Sequence, residues 1–292
     1  MKRLIVQILA FLGINSDPGP LLEAIAKGKG WFAKLAFNIN KIIPHTAKIG
    51  KNVCMPALNC YSCPAAGTAC PVGTAQHFIS VGQTPYFVVG TMAAIGAVAG
   101  RITCGWICPF GWIQELLYKI NSFKFRLPKW FGYFKYLSLL LLVIFIPFFT
   151  HETWFCKVCP AGTIEAGIPW ILMDPSLRRL LGELFAFKIT VLITFITLSV
   201  FTKRPFCRFC PLGAFFGLFN KLSFFKLHVD TNKCNQCDFC YRVCPMGLKP
   251  YENPNSDECI RCLECTDCEL ITFKPAINIE KQQITLSSTK NI

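Results

Sequence analysis

The chain has 292 residues, 53% of them apolar and only 16% charged, with 27 phenylalanines. Average soluble domains carry roughly 25% charged residues, so this chain has more apolar surface than one soluble core absorbs. The net charge of +14 is uneven: residues 1–226 hold 23 Lys and Arg against 7 Asp and Glu, and residues 227–292 hold 7 against 9. The basic residues flank apolar runs instead of forming a patch, which argues against a nucleic-acid partner and for loops anchoring membrane spans.

Taken in chain order, Lys2 and Arg3 precede an apolar run, Leu4–Ile14. It imitates a signal peptide, but no small-residue cleavage site follows, so no cleavage is expected. The run is too short to span a bilayer and reads as an interfacial helix. Residues 1–77 therefore form an N-terminal interfacial and cysteine-rich segment. Three apolar stretches follow: Phe78–Gly100, broken near Pro85, then Tyr133–Thr150 and Leu184–Thr202. Each approaches the ~20 residues that cross a bilayer, and residues 78–226 form the transmembrane region.

Lys and Arg set the orientation. Arg101, Lys119, Lys124, Arg126 and Lys129 follow the first stretch, and Lys203, Arg204, Arg208, Lys221 and Lys226 follow the last. The intervening loop balances Lys157, Arg178 and Arg179 with Glu152, Glu165, Asp174 and Glu183. The positive-inside rule then puts the C-terminal part in the cytoplasm. With three spans the N-terminus falls outside, although the first 51 residues are also basic.

Four times the chain writes Cys-Pro-x-Gly, starting at Cys70, Cys108, Cys159 and Cys210, with companions Cys63, Cys104, Cys156 and Cys207 upstream. Each half reads motif, span, motif, which indicates an internal duplication. Proline after cysteine suits the first turn of a helix. On this topology Cys104, Cys108, Cys207 and Cys210 share the cytoplasmic face, enough thiolates for a third cluster, with Arg101, Lys203, Arg204 and Arg208 to stabilise its reduced state. The plain alternative is that they are small helix-packing residues. Cys54, Cys60, Cys63, Cys70, Cys156 and Cys159 fall on the opposite face, where a fourth cluster and disulfides both stay open. His77 and His151 lie near span ends on that face, as interfacial histidines commonly do, so haem is not expected.

Residues 227–292 read as a small α+β domain with two cluster sites. Cys234-x2-Cys237-x2-Cys240-x3-Cys244-Pro245 is the bacterial ferredoxin ligand run. A second run, Cys259-x2-Cys262-x2-Cys265-x2-Cys268, is one residue short in its last gap and has Glu269 in place of proline. By the crossover rule Cys234, Cys237, Cys240 and Cys268 hold one [4Fe-4S] cluster, and Cys259, Cys262, Cys265 and Cys244 the other. A zinc ribbon is the competing use of such sites. Phe224–Val229 and Ile277–Leu286 have the character of flanking strands.

The segments Asn59-Cys60-Tyr61-Ser62-Cys63-Pro64, Cys104–Gly111 and Cys207–Ala214, with the two-run tail, resemble the NapH-like (polyferredoxin) ferredoxin-type membrane proteins over roughly residues 50–270. Relatives of this group pass electrons to periplasmic nitrate reductase or serve nitrous oxide reductase. The chain differs in its segment Cys54–Cys70, in having no full N-terminal span, and in showing no flavin-binding domain; flavin is not expected. The resemblance implies a multi-pass protein of the cytoplasmic membrane, mainly α, that relays electrons. A cytoplasmic ferredoxin-like or quinol donor would feed it, and a membrane or extracytoplasmic partner would accept. It would be a carrier or electron-transfer subunit with no catalysis of its own. The competing readings are a maturation or iron–sulfur supply factor and a redox sensor. There is no Rossmann fingerprint or P-loop.

Overall fold

The computed structural model describes residues 2–15, 53–64, 66–180, 182–230 and 233–276. It is mostly helical, with one two-stranded sheet among the described residues. The first helix is α1, Lys2–Ile14. α2 (Pro71–Ser80) and α3 (Tyr86–Ala99) follow, then α4 (Ile102–Trp106) and α5 (Pro109–Tyr118). α6 runs Trp130–Thr150. After it come α7 (Trp154–Val158), α8 (residues 160–173), α9 (Glu183–Phe201) and α10 (Pro211–Phe219). β1 (Phe225–Val229), α11 (Phe239–Val243) and β2 (Ile271–Pro275) build the tail.

Two helices, α6 and α9, are long and apolar enough to cross a membrane. A soluble core helix of that composition would be buried, but only 28% and 11% of their apolar windows are. Leu137, Leu141, Phe145 and Phe148 on α6, and Phe187 and Ile193 on α9, point outward. Such side chains in water would cost ~1.5–3 kcal/mol each relative to burial; against lipid they cost nothing. The Phe78–Gly100 stretch is not one helix. α2 ends at Ser80, Gly82 takes φ +75°, and α3 restarts after Pro85 with 14 residues, about 21 Å of rise.

Two widened turns occupy Leu139–Phe145 in α6 and Thr163–Gly167 in α8. Each leads into a proline, Pro147 or Pro169. A proline ring clashes with the carbonyl four residues back, and the wider turn moves that carbonyl away.

α1 turns its polar side inward. Arg3 donates to the Gly105 carbonyl (2.9 Å) and pairs with Glu115 and Glu264, and Gln7 Nε2 donates to Gly105 O at 3.0 Å. At its other end Gly67 N–H donates to Ile14 O, 2.7 Å. Leu4, Ile5, Leu9 and Leu12 face outward. The helix therefore stands along the bundle, from the tail end to the far end, instead of lying across it. The N-terminus shares the tail's end, not the opposite one.

β1 and β2 pair antiparallel with Leu227 opposite Phe273. β1 coincides with the expected first strand. Ile277–Leu286, the expected second, lies outside the described residues, and Ile271–Pro275 takes the pairing. Lys135, fully buried, pairs with Asp257 and Glu258, and Tyr136 OH donates to Asp257 Oδ2 at 2.6 Å, so the tail is fastened to the base of α6.

Candidate iron–sulfur sites

All four Cys-Pro turns fold alike. Cys70, Cys108, Cys159 and Cys210 cap their helices in the extended region, with ψ from 114° to 123°, and the proline opens the helix. There its missing N–H leaves no gap, because the first helical N–H groups have no partner within the helix.

Cys104, Cys108, Cys207 and Cys210 converge at the tail end, around a small cavity lined also by Arg101, Gln114 and Leu58. The surroundings are reciprocal. Arg101 Nη2 donates to Cys207 O (2.7 Å), and Arg204 Nη1 donates to Cys104 O (2.5 Å). Each arginine stands three residues before a cysteine of one motif and holds the carbonyl of the other. Both are almost completely buried, and Glu115 accepts from Arg204 Nε at 2.8 Å. A Cβ at Gly111 would lie 2.9 Å from Arg204 Nη1, and one at Gly213 3.0 Å from Arg101 Cζ, so the motif glycines admit the guanidinium groups.

At the far end Cys60, Cys70, Cys156 and Cys159 lie within electrostatic reach of one another. They line an open cavity of about 630 Å³. Cys54 also lines this cavity, with its Sγ 3.8 Å from Thr74 Oγ1; Cys63 is outside the lining but within electrostatic reach of Cys60, and its Sγ sits 3.7 Å from Asn15 Oδ1.

In the tail, Cys240 feels Cys234 and Cys268, while Cys259 and Cys265 feel Cys244. The structure thus brings Cys268 to the first run and Cys244 to the second. Cys237 is exposed at the edge. Burial pushes the thiol of Cys259 to about 11 and that of Cys265 to about 12. They are protonated in an empty tail, and loading releases those protons.

Three side chains that motif reading did not single out recur six residues after the Cys of a Cys-Pro turn: Gln76, Gln114 and Glu165. Gln76 Oε1 accepts from Phe155 N–H (3.0 Å), Gln114 Oε1 from Phe206 N–H (3.1 Å), and Glu165 Oε2 from Cys60 N–H (2.6 Å). Each one ties its own helix to the companion segment of the facing motif. The constant offset was the available signal; at the fourth turn the position is Phe216.

These thiol sets suit a cluster better than a single ion. Zn–S bonds of ~2.3 Å in a tetrahedron draw sulfurs within about 4 Å of each other. Among the described residues no three His, Cys, Asp or Glu side chains are grouped to hold one metal ion. A cubane needs four thiolates spread around a larger body.

Comparison with known proteins defines the class first. A family profile described as "4Fe-4S binding domain" matches residues 81–128, 134–174 and 184–230, and a second of the same description matches 226–248. The chain is 35% identical to the uncharacterized protein MJ0750 of Methanocaldococcus jannaschii, across 67% of this chain and 81% of that one. It is 24% identical to the ferredoxin-type protein NapH of Haemophilus influenzae, across 61% and 63%. It is 26% identical to the regulatory protein NosR of Stutzerimonas stutzeri, across 61% and 24%. No solved structure matches. The chain belongs to the NapH-like family of ferredoxin-type membrane proteins, a family of iron–sulfur electron transfer.

Proposed function

We propose that the chain is a multi-pass electron relay of the cytoplasmic membrane with three [4Fe-4S] clusters in line. Cys234, Cys237, Cys240 and Cys268 hold the first. Cys259, Cys262, Cys265 and Cys244 hold the second, and Cys104, Cys108, Cys207 and Cys210 the third. The tail forms a ferredoxin-type domain on the cytoplasmic side. α3, α6 and α9 cross the membrane, and α1 adds a short fourth crossing that leaves Lys2 and Arg3 on the same basic side.

One observation carries the relay reading: the second tail set sits directly on the third. Arg101 bonds both Cys207 O and the Asp257 carbonyl (3.1 Å) beside the Cys259 loop. Trp106 Nε1 donates to Arg261 O at 3.1 Å, and a Cβ at Gly105 would meet Ile260 O at 2.5 Å. Cys244 and Cys262 pack against the same core as Cys104, Cys108, Cys207 and Cys210. An electron delivered to the tail, from a soluble ferredoxin-like donor or from quinol, passes from the second cluster to the third. A membrane or extracytoplasmic redox partner takes it onward.

The test is iron and acid-labile sulfide counting with EPR on purified protein. Cys207→Ser is expected to lose about four irons, one cubane, while the tail signals persist. Unchanged iron in that variant would sink the third cluster. Clusters that cannot be reduced and reoxidised reversibly would favour a maturation, iron–sulfur supply or sensing role over a relay.

A further inference from the structure

The far-end thiols form a site of their own. Cys60 and Cys70 lie upstream of the segments matched by the family profile, which begin at residue 81. We propose that Cys60, Cys70, Cys156 and Cys159 hold a fourth [4Fe-4S] cluster, and that Cys54 and Cys63 take no part in it.

Four features carry the assignment. First, of six cysteines at this end five line one cavity; Cys54 among them has its Sγ on Thr74 Oγ1, and Cys63, outside the lining, has its Sγ on Asn15 Oδ1, which leaves four. None of the four is bonded to another. Second, the motif glycines lie in van der Waals range of the facing thiols, so the Cys-Pro turns and companion cysteines meet across one space. A Cβ at Gly73 would stand 3.5 Å from Cys156 Sγ, and one at Gly162 3.5 Å from Cys60 Sγ.

Third, the bracing repeats that of the tail-end set. Gln76 holds Phe155 N–H as Gln114 holds Phe206 N–H, and Glu165 holds Cys60 N–H from the same offset. Buried polar groups in an apolar bundle are costly unless paired, and here the pairing fixes the residues that present the thiols. A disulfide pair needs only two apposed cysteines; this frame orients four.

Fourth, the site is within one side-chain layer of the third cluster. Leu58 lines both cavities. Phe155 precedes Cys156, Phe206 precedes Cys207, and their ring centroids are 6.4 Å apart. Pro71 and Pro211, one from each site, share a cavity of about 60 Å³ beside Leu139 and Val143 of α6. The Cys-Pro turns from both ends thus dip toward mid-bundle. Along α1, Gln7 reaches Gly105 O beside Cys104 and Asn15 reaches Cys63 at the far end; eight residues give roughly 12 Å of rise. One electron leaves a reduced third cluster, which becomes oxidised, and enters the oxidised fourth, which becomes reduced; no bond or proton need move. The ~30 Å of hydrocarbon is thereby divided into shorter steps. This inference rests on the third cluster of the relay reading.

The full-length protein, purified anaerobically in detergent, is expected to hold about sixteen irons and as many sulfides, four per cubane. Cys159→Ser and Cys60→Ser should each lose about four irons and retain the tail EPR signals, which shows that the chain has folded. Cys54→Ser and Cys63→Ser should keep the full complement. In the fully reduced protein, the fourth cluster should broaden the EPR signal of the third, and Cys159→Ser should sharpen it. The fourth cluster is overturned by about twelve irons in the parent with Cys159→Ser unchanged, by a loss of only about two irons, or by a loss in Cys63→Ser. Failure of the relay reading looks different: about eight irons in the parent, with Cys207→Ser unaffected.

Discussion

Arg101 and Arg204 put two positive charges beside the tail-end thiols, and among the described residues no arginine lines the far-end cavity. A unit charge roughly 6 Å from a cluster, at an effective dielectric of about 20, is worth ~3 kcal/mol. That corresponds to on the order of 100 mV for a one-electron couple. Arg204→Gln should therefore lower the midpoint potential of the third cluster by up to that amount, and Arg204→Lys should recover part of the shift without the fork geometry. An EPR-monitored redox titration measures both; an unchanged midpoint in Arg204→Gln would remove the electrostatic role. Glu115 matters differently. Burial alone would raise its pKa, but the charges of Arg204 and Arg3 outweigh burial and hold it below the usual carboxylate value. Its contribution to stability is then present above that usual value and is lost as pH falls through the lowered one. Glu115→Gln leaves the buried Arg204 guanidinium without its carboxylate, while Arg3 keeps Glu264, at a cost of about 3 kcal/mol. The thermal midpoint in detergent should drop at pH 7, and the acid-side decline should become shallower by the share of Glu115, while Asp257, also held low, keeps its own.

At the scale of elements, the repeat was legible from four Cys-Pro-x-Gly copies, and so were β1, α6 and α9. The partners of each element were not. Pairing of Cys104–Cys108 with Cys207–Cys210 followed from a topology argument. The proposed choice of Cys60 over Cys63 at the far end rests on where Asn15 and Glu165 stand, which spacing does not encode. α1 was read as a helix along the interface because Leu4–Ile14 is short and apolar. Its orientation is set instead by long-range partners, the Gly105 carbonyl, Glu115 and Glu264. The motif glycines offer a direct test of how elements meet. Gly111→Ala places a methyl group 2.9 Å from Arg204 Nη1, forcing the guanidinium away from Cys104 O. It should cost about 1–3 kcal/mol, as overpacking does, and reduce occupancy of the third cluster. Gly90→Ala in α3 is the control, since nothing lies within 4 Å of that position. Equal iron content in the two variants would show that the close approach at Gly111 is incidental.

For the whole molecule, the proposed topology adds two short crossings to two long ones. α6 and α9 satisfy length and composition; α1 and α3, with 13 and 14 residues, are about 20 Å long. Their outward leucines and valines suit lipid, and their ends meet polar partners within the protein. The three-span reading of the sequence left a basic N-terminus on the side opposite the basic loops, against the positive-inside rule. With Arg3 paired to Glu264 of the tail, Lys2 and Arg3 join the side of Lys203 and Arg204, which relieves the conflict for these two, while the other six lysines of the first 51 residues follow α1 in sequence. The two termini should then be accessible from one side. With an epitope tag at each end, protease added to inside-out vesicles is expected to remove both tags, and protease added to right-side-out vesicles to remove neither. Tags that respond from opposite sides would mean that α1 does not complete a crossing, and the fourth crossing would have to be abandoned while α3, α6 and α9 stood.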